Sequence, residues 1–171
     1  KFGNPSINQG SPCLGPNDDS VSFVNLGRYQ LSTSDADIGT DDFVFEFVYY
    51  NFFVSGTDTH VDTYLGATLS GWRFFSTSSS NLRVTLGDTS LTKAITISGL
   101  MPNSIYHFFI CGNRDEASTN GWKVYGNGVL MDSDDISSVP GPITADADFT
   151  IGSRPGGAFA TQASIMYFAM W

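Results

Sequence analysis

The chain has 171 residues, with eight Lys and Arg against 17 Asp and Glu, for a formal net charge of −9. Such a surface repels phosphate backbones and anionic bilayers, which argues against nucleic acid or a membrane surface as partner. No run of about 18 apolar residues marks a transmembrane helix, so no membrane insertion is expected. The length suits one domain able to bury its own core. Glutamate occurs only at Glu46 and Glu116 and lysine only at Lys1, Lys93 and Lys123, while Phe alone supplies 14 residues. Summed propensity therefore disfavours helices and favours strands. Lys1 is neither an initiator Met nor the start of a signal-peptide pattern, so a processed or excerpted chain is expected.

Residues 1–20 hold Pro5, Pro12, Pro16, Gly3, Gly10 and Gly15, and read as a loop or lead-in arm. The predicted sandwich, residues 21–171, opens with strands at 21–26 and 28–31, followed by a polar corner at 32–42. Phe43, Phe45, Phe47 and Tyr49 then take every second position, with Val44, Glu46, Val48 and Tyr50 between them. Side chains alternate across a strand, so one face here is heavily apolar and the other mixed. Further strands are predicted at 61–69, 71–75, 82–86, 94–97, 105–111, 122–125, 129–131, 149–151 and 164–171, with a loop at 76–81. Gly126-Asn127-Gly128 reads as a hairpin turn. Many short, turn-separated strands with no sustained 3.6-residue period mean an all-β fold, a two-sheet antiparallel β-sandwich.

Few residues offer chemistry. Cys13 and Cys111 fit no zinc or redox spacing: Cys111 closes an apolar run as a buried thiol, or bridges to Cys13 in an oxidising compartment. His107 lies in the same apolar run and reads as packed and hydrogen-bonded, whereas His60 follows a polar stretch and is expected in solvent. Neither lies in a nucleophile-elbow context. Trp72 and Trp171 read as core or sheet-face packing. The spacing Asp35, Asp37, Gly39, Asp41 with Glu46 imitates an EF-hand loop, but Thr40 stands where that loop needs glycine and the flanks are strands.

The order of motifs resembles a laminin-G-like domain of the concanavalin A-like lectin/glucanase superfamily. The resemblance rests on Phe23, Tyr29-Gln30-Leu31, the run from Asp42 through Phe47, Gly71-Trp72, Ile105-Tyr106-His107-Phe108, the hairpin from Val124 to Leu130, Phe149-Thr150-Ile151-Gly152 and the closing run from Ile165 to Trp171. It spans about residues 20–171 and implies a jelly roll of one concave and one convex sheet. Tyr106 stands where the family often has Trp.

Glycosidases of the superfamily carry a Glu-x-Asp-x-x-Glu triplet, because cleaving a glycosidic bond needs two carboxylates. The triplet is absent, so no catalytic residue is assigned and Glu46 is read as structural. The resemblance implies calcium as a cofactor, held at the sandwich rim. Asp132, Asp134 and Asp135 are the ligand candidates, and solvated turn acids are the alternative. It also implies sugar contact through an aromatic ring with polar groups beside it: Trp122 and Tyr125, with Asn120, Asn127 and Arg114 nearby in sequence. For Trp122, burial in the core stands as the other reading. The leading expectation is a non-catalytic module binding an extracellular or cell-surface glycan. A structural subunit of a virion, fibre or appendage, packed on neighbouring protein subunits, is the alternative, and a glycoside hydrolase ranks third.

Overall fold

The computed structural model describes residues 6–9, 19–22, 29–30, 36–51, 57–63, 69–78, 80–145, 149–152 and 164–170. Cys13, Phe23 and Trp171 lie outside them, as do residues 64–68 of the strand expected at 61–69. The described residues form thirteen strands and no helix. They are β1 (Ser6–Gln9), β2 (Asp19–Ser22), β3 (Tyr29–Gln30), β4 (Phe43–Asn51), β5 (Asp58–Asp62), β6 (Ser70–Ser78), β7 (Asn81–Asp88), β8 (Thr92–Ile97), β9 (Ser104–Gly112), β10 (Trp122–Gly126), β11 (Val129–Asp134), β12 (Thr150–Ile151) and β13 (Ser164–Met170). A seven-stranded sheet runs in the order β1-β2-β13-β4-β9-β10-β11, and a six-stranded sheet in the order β3-β12-β5-β6-β7-β8. The paired strands are antiparallel. The two layers pack as the expected β-sandwich.

β4 is the central strand of the larger sheet, and its residues alternate between buried and half-buried along its whole length. Phe43, Phe45, Phe47 and Tyr49 point between the sheets, where they meet rings from the other layer. The Phe45 ring lies 4.6 Å from Trp72 and 5.1 Å from Phe74, and Phe47 stacks on Phe74 at 5.2 Å with 13° between planes. Trp72 is buried as expected, and its indole N–H donates to the Ala36 carbonyl at 2.9 Å. Aromatic pairs of this kind contribute beyond their burial, about 0.5–1.5 kcal/mol each. Packing around these rings holds β4 and β9 rigidly, and so fixes what their other face presents.

Several elements differ from the sequence expectation. The segment read as a loop arm contains β1, which pairs with β2 from Ser6 opposite Ser22 to Gln9 opposite Asp19. An edge strand of four residues, Ser6–Gln9, is too short to carry an alternation signal. β6 runs on to Ser78, which pairs with Asn81 of β7, where a loop was expected at 76–81. The strand expected from 61 starts earlier, at Asp58, and its sheet pairing ends at Asp62. Thr63 still bonds to β6 beyond that point: its N–H donates to the Trp72 carbonyl at 3.0 Å and its hydroxyl accepts the Trp72 N–H at 2.9 Å. The Asn127-Gly128 turn is as expected, with φ of 51° and 80°, the two positive angles a tight hairpin needs.

Candidate functional site

Because the inner faces of the seven-stranded sheet are filled, the opposite parity of each strand forms its outer face. Register lines those residues up in rows. One row reads Ala169, Glu46, Phe109, Tyr125 and Leu130 across β13, β4, β9, β10 and β11. The adjacent row holds Tyr167, Val48 and His107. Glu46, His107, Phe109 and Tyr125 are half-buried, while Leu130 and Tyr167 are 49% and 45% exposed. This is an open platform of three aromatic rings around one polar cluster.

The cluster is built on diagonals. Glu46 faces Phe109 directly, which puts His107 one diagonal step away, and His107 Nε2 lies 2.5 Å from Glu46 Oε1. An ionised carboxylate only accepts, so Nε2 carries the proton. On the other side of Glu46, the Tyr167 phenol occupies the matching diagonal from β13. Burial first, and then the charge of Glu46 and a hydrogen bond to it, hold that phenol above its ordinary pKa. The imidazole ring packs against Phe109 at 4.7 Å between centroids. The hairpin tip steadies this strand end: Asn127 Oδ1 accepts the His107 N–H at 2.9 Å, and Asn127 N–H donates to the His107 carbonyl at 2.8 Å. The result is a fixed acceptor flanked by flat apolar faces, suited to a polyhydroxylated ligand with an apolar side.

The residues proposed from sequence divide. Tyr125 lies in the platform and Asn127 supports it. Trp122 does not: it is 0% exposed, pointing between the sheets with Val124. That corrects its candidacy as a sugar-stacking ring, since a side chain sealed in the core meets no ligand. Arg114 and Asn120 belong to the β9–β10 connection, at the opposite end of those strands from His107 and Asn127. Arg114 is spent on structure: its N–H donates to Asp42 Oδ1 at 2.7 Å and its Nη2 to the Gly141 carbonyl at 2.6 Å. Asn120 is exposed, and its N–H donates to Ser118 Oγ at 3.1 Å. Glu46, His107, Phe109 and Tyr167 were not proposed as site residues from the sequence.

The calcium candidates do not fit the ion. Asp134 Oδ1 takes Lys93 Nζ of β8 at 3.0 Å and the Asp135 N–H at 2.7 Å, closing the sandwich edge. Asp132 Oδ1 accepts the Ser133 N–H, and Asp135 Oδ1 accepts the Ser137 N–H. Asp132 and Asp134 oppose Val124 and Trp122 in register, and among the described residues no three His, Cys, Asp or Glu converge to hold a metal. Calcium needs six to eight converging oxygens. A cleft lined by Asp37, Ile38, Asp41, Asp42, Phe43 and Met170 opens at the sandwich end, but Asp37 and Asp42 there accept the N–H groups of Ala145 and Arg114.

The histidines also separate. His107 is hydrogen-bonded, as expected, while His60 is fully buried rather than solvated. His60 is the extra residue of a β-bulge, where Thr59 and Val61 face Phe75 and Phe74 in succession. The bulge turns the imidazole inward, 5.0 Å from the Tyr49 ring, with Nε2 at 2.5 Å from Ser76 Oγ. Burial lowers its pKa to about 3. Cys111 is half-buried on the outer face opposite Lys123 and is a free thiol. Burial raises its pKa, against the pull of that lysine.

No family model matches the chain, and no curated protein matches it. Solved structures do. A binding domain of botulinum neurotoxin DC, in complex with rat synaptotagmin II, superposes with a TM-score of 0.69 at 18% identity, covering 99% of this chain and 41% of that one. The same values describe the match to a structure reporting that cell entry of botulinum neurotoxin type C depends on interaction with two ganglioside molecules. The CBM40 of a Ruminococcus gnavus IT-sialidase, bound to α2,3-sialyllactose, superposes at 0.65 with 12% identity, covering 89% of each chain. At these identities the likeness shows the fold. The chain spans about two fifths of the length of the toxin binding domains it matches.

Proposed function

We propose that this chain is a non-catalytic carbohydrate-recognition module that receives a glycan on the outer face of its seven-stranded sheet. The observation carrying this reading is the row Glu46, Phe109 and Tyr125 with His107 and Tyr167 beside it: an open aromatic platform around a fixed carboxylate–imidazole pair. Ring faces take up the apolar side of a pyranose, while the carboxylate accepts from its hydroxyls. The fold likeness adds support, since the CBM40 was solved with a sialylated trisaccharide on the same kind of sandwich.

Glycoside hydrolysis asks for two carboxyl groups about 5–9.5 Å apart across the scissile bond. The described outer face offers one, Glu46. Glu116 lies in the β9–β10 connection, where it accepts from the Ser118 hydroxyl at 2.6 Å. That favours binding over cleavage. Within the same reading, laminin-G-like kinship and an extracellular or cell-surface location are consistent with the motif order and the acidic, aromatic-rich composition.

A second reading has one observation of its own. β11 is an edge strand, and Val129 and Leu130 on it are 67% and 49% exposed. An apolar edge of this kind suits protein docking, as in a fibre or appendage subunit. A glycan array, followed by titration of each hit with and without calcium, tests the first reading. Binding abolished by Tyr125→Ala with the fold intact supports it; no binding to any glycan removes it.

A further inference from the structure

We infer that the ligand of this face is a neutral saccharide, and that a sialic acid or other anionic sugar placed there is rejected. The inference rests on the carbohydrate reading above and concerns the charge class of the glycan. The charged and titratable side chains facing outward from the described strands of this sheet are few. β4 contributes Glu46 and Tyr50, β9 contributes His107 and Cys111, β10 contributes Lys123 and Tyr125, and β13 contributes Tyr167. No arginine stands among the described outer-face positions, so the bidentate fork that recognises a carboxylate is missing there.

The one anion at the centre of the platform is Glu46, largely covered, with a side chain 16% exposed. The imidazole of His107 and the phenol of Tyr167 already bond to it, which leaves the remaining acceptor capacity for donors. Sugar hydroxyls are donors; a ligand carboxylate is not. Lys123 stands two strands and one row away from Glu46 in register, opposite Cys111 rather than Phe109. A net charge of −9 adds a general repulsion of anions. A carboxylate brought beside Glu46 therefore meets like charge in a partly desolvated setting, with Lys123, two strands away, the one lysine or arginine among the described outer-face positions.

The test is a set of matched pairs on a glycan array and by calorimetry: neutral oligosaccharides, and the same oligosaccharides capped with sialic acid, such as lactose and α2,3-sialyllactose. The expected result is binding of neutral members, with the sialylated partner weaker by about tenfold or more at low salt. Glu46→Gln, checked for folding by its melting curve, is expected to close that gap by relieving the sialylated member. Tighter binding of the sialylated member, or a gap unchanged in Glu46→Gln, overturns the inference while leaving carbohydrate recognition standing. Failure of every saccharide to bind overturns both.

Discussion

Glu46 on β4 and His107 on β9 meet across a strand diagonal at 2.5 Å, the one carboxylate–imidazole pair among the described residues of a face rich in aromatic and aliphatic side chains. Removing either partner strips the platform of its fixed polar group while leaving the inward-facing core untouched. His107→Ala is expected to weaken glycan binding by about tenfold, the size of one lost charge-assisted hydrogen bond. Isothermal titration beside a thermal melt checks this. The melt should move by no more than a few degrees.

Tyr125 and Trp122 sit three residues apart on one strand, on opposite faces, and should respond oppositely to truncation. Tyr125→Ala is expected to reduce ligand affinity with a stability change under about 1 kcal/mol, as for most surface sites. Trp122→Ala opens a cavity in the sandwich and should cost about 3–5 kcal/mol. Urea unfolding of the two variants separates them directly.

His60 makes the fold acid-sensitive. Its pKa in the fold is lowered to about 3 by burial, below the ordinary histidine value. Between pH of about 6.5 and 3 the unfolded chain therefore binds a proton that the folded chain does not. Stability should fall as pH drops through that window, at up to about 1.4 kcal/mol per pH unit. Asp88 acts in a window that opens lower, at the ordinary carboxylate value. Burial opposes its ionisation, but N–H bonds from Leu91, Gly141 and Ser90 outweigh it and hold its pKa low. Its contribution is complete above the ordinary carboxylate range and is lost only as pH falls through the depressed folded value. Urea midpoints measured from pH 7 to 4, with the His60 resonances followed by NMR, test the first window: the imidazole should stay neutral until the chain unfolds.

The hairpin tip links local backbone chemistry to the site. Asn127 has φ of 51°, and its side chain holds the His107 N–H. Asn127→Ala forfeits both the tolerance for that conformation and the bond, and is expected to destabilise by about 1–2 kcal/mol. Ligand affinity should fall with it, because β9 is loosened beside His107. Chemical denaturation and titration of one sample measure both effects.

The fold was legible because β4 announces itself: Phe43 to Tyr49 alternate in sequence and alternate in burial. The Asn127-Gly128 hairpin was legible for the same local reason. The site was only half legible. Parity along β10 held the missing signal: Lys123 and Tyr125 share a face, and a lysine marks the wet side, so Trp122 and Val124 had to be inside. No such local rule places Glu46 beside His107. Their meeting depends on the register of β4 against β9, two segments some sixty residues apart. His60 was misjudged because a bulge, invisible to a period-two pattern, shifts parity within β5. Asp132, Asp134 and Asp135 looked like a ligand set by adjacency, yet their partners are Lys93 from the other sheet and nearby N–H groups.

The most direct test is an NMR titration of the isotopically labelled chain with the best binder from the glycan array, following backbone and aromatic side-chain resonances. The account predicts shifts concentrated at Glu46, His107, Phe109, Tyr125 and Tyr167. Shifts confined to the sandwich rim around Asp132–Asp135, or to the six-stranded sheet, would contradict it.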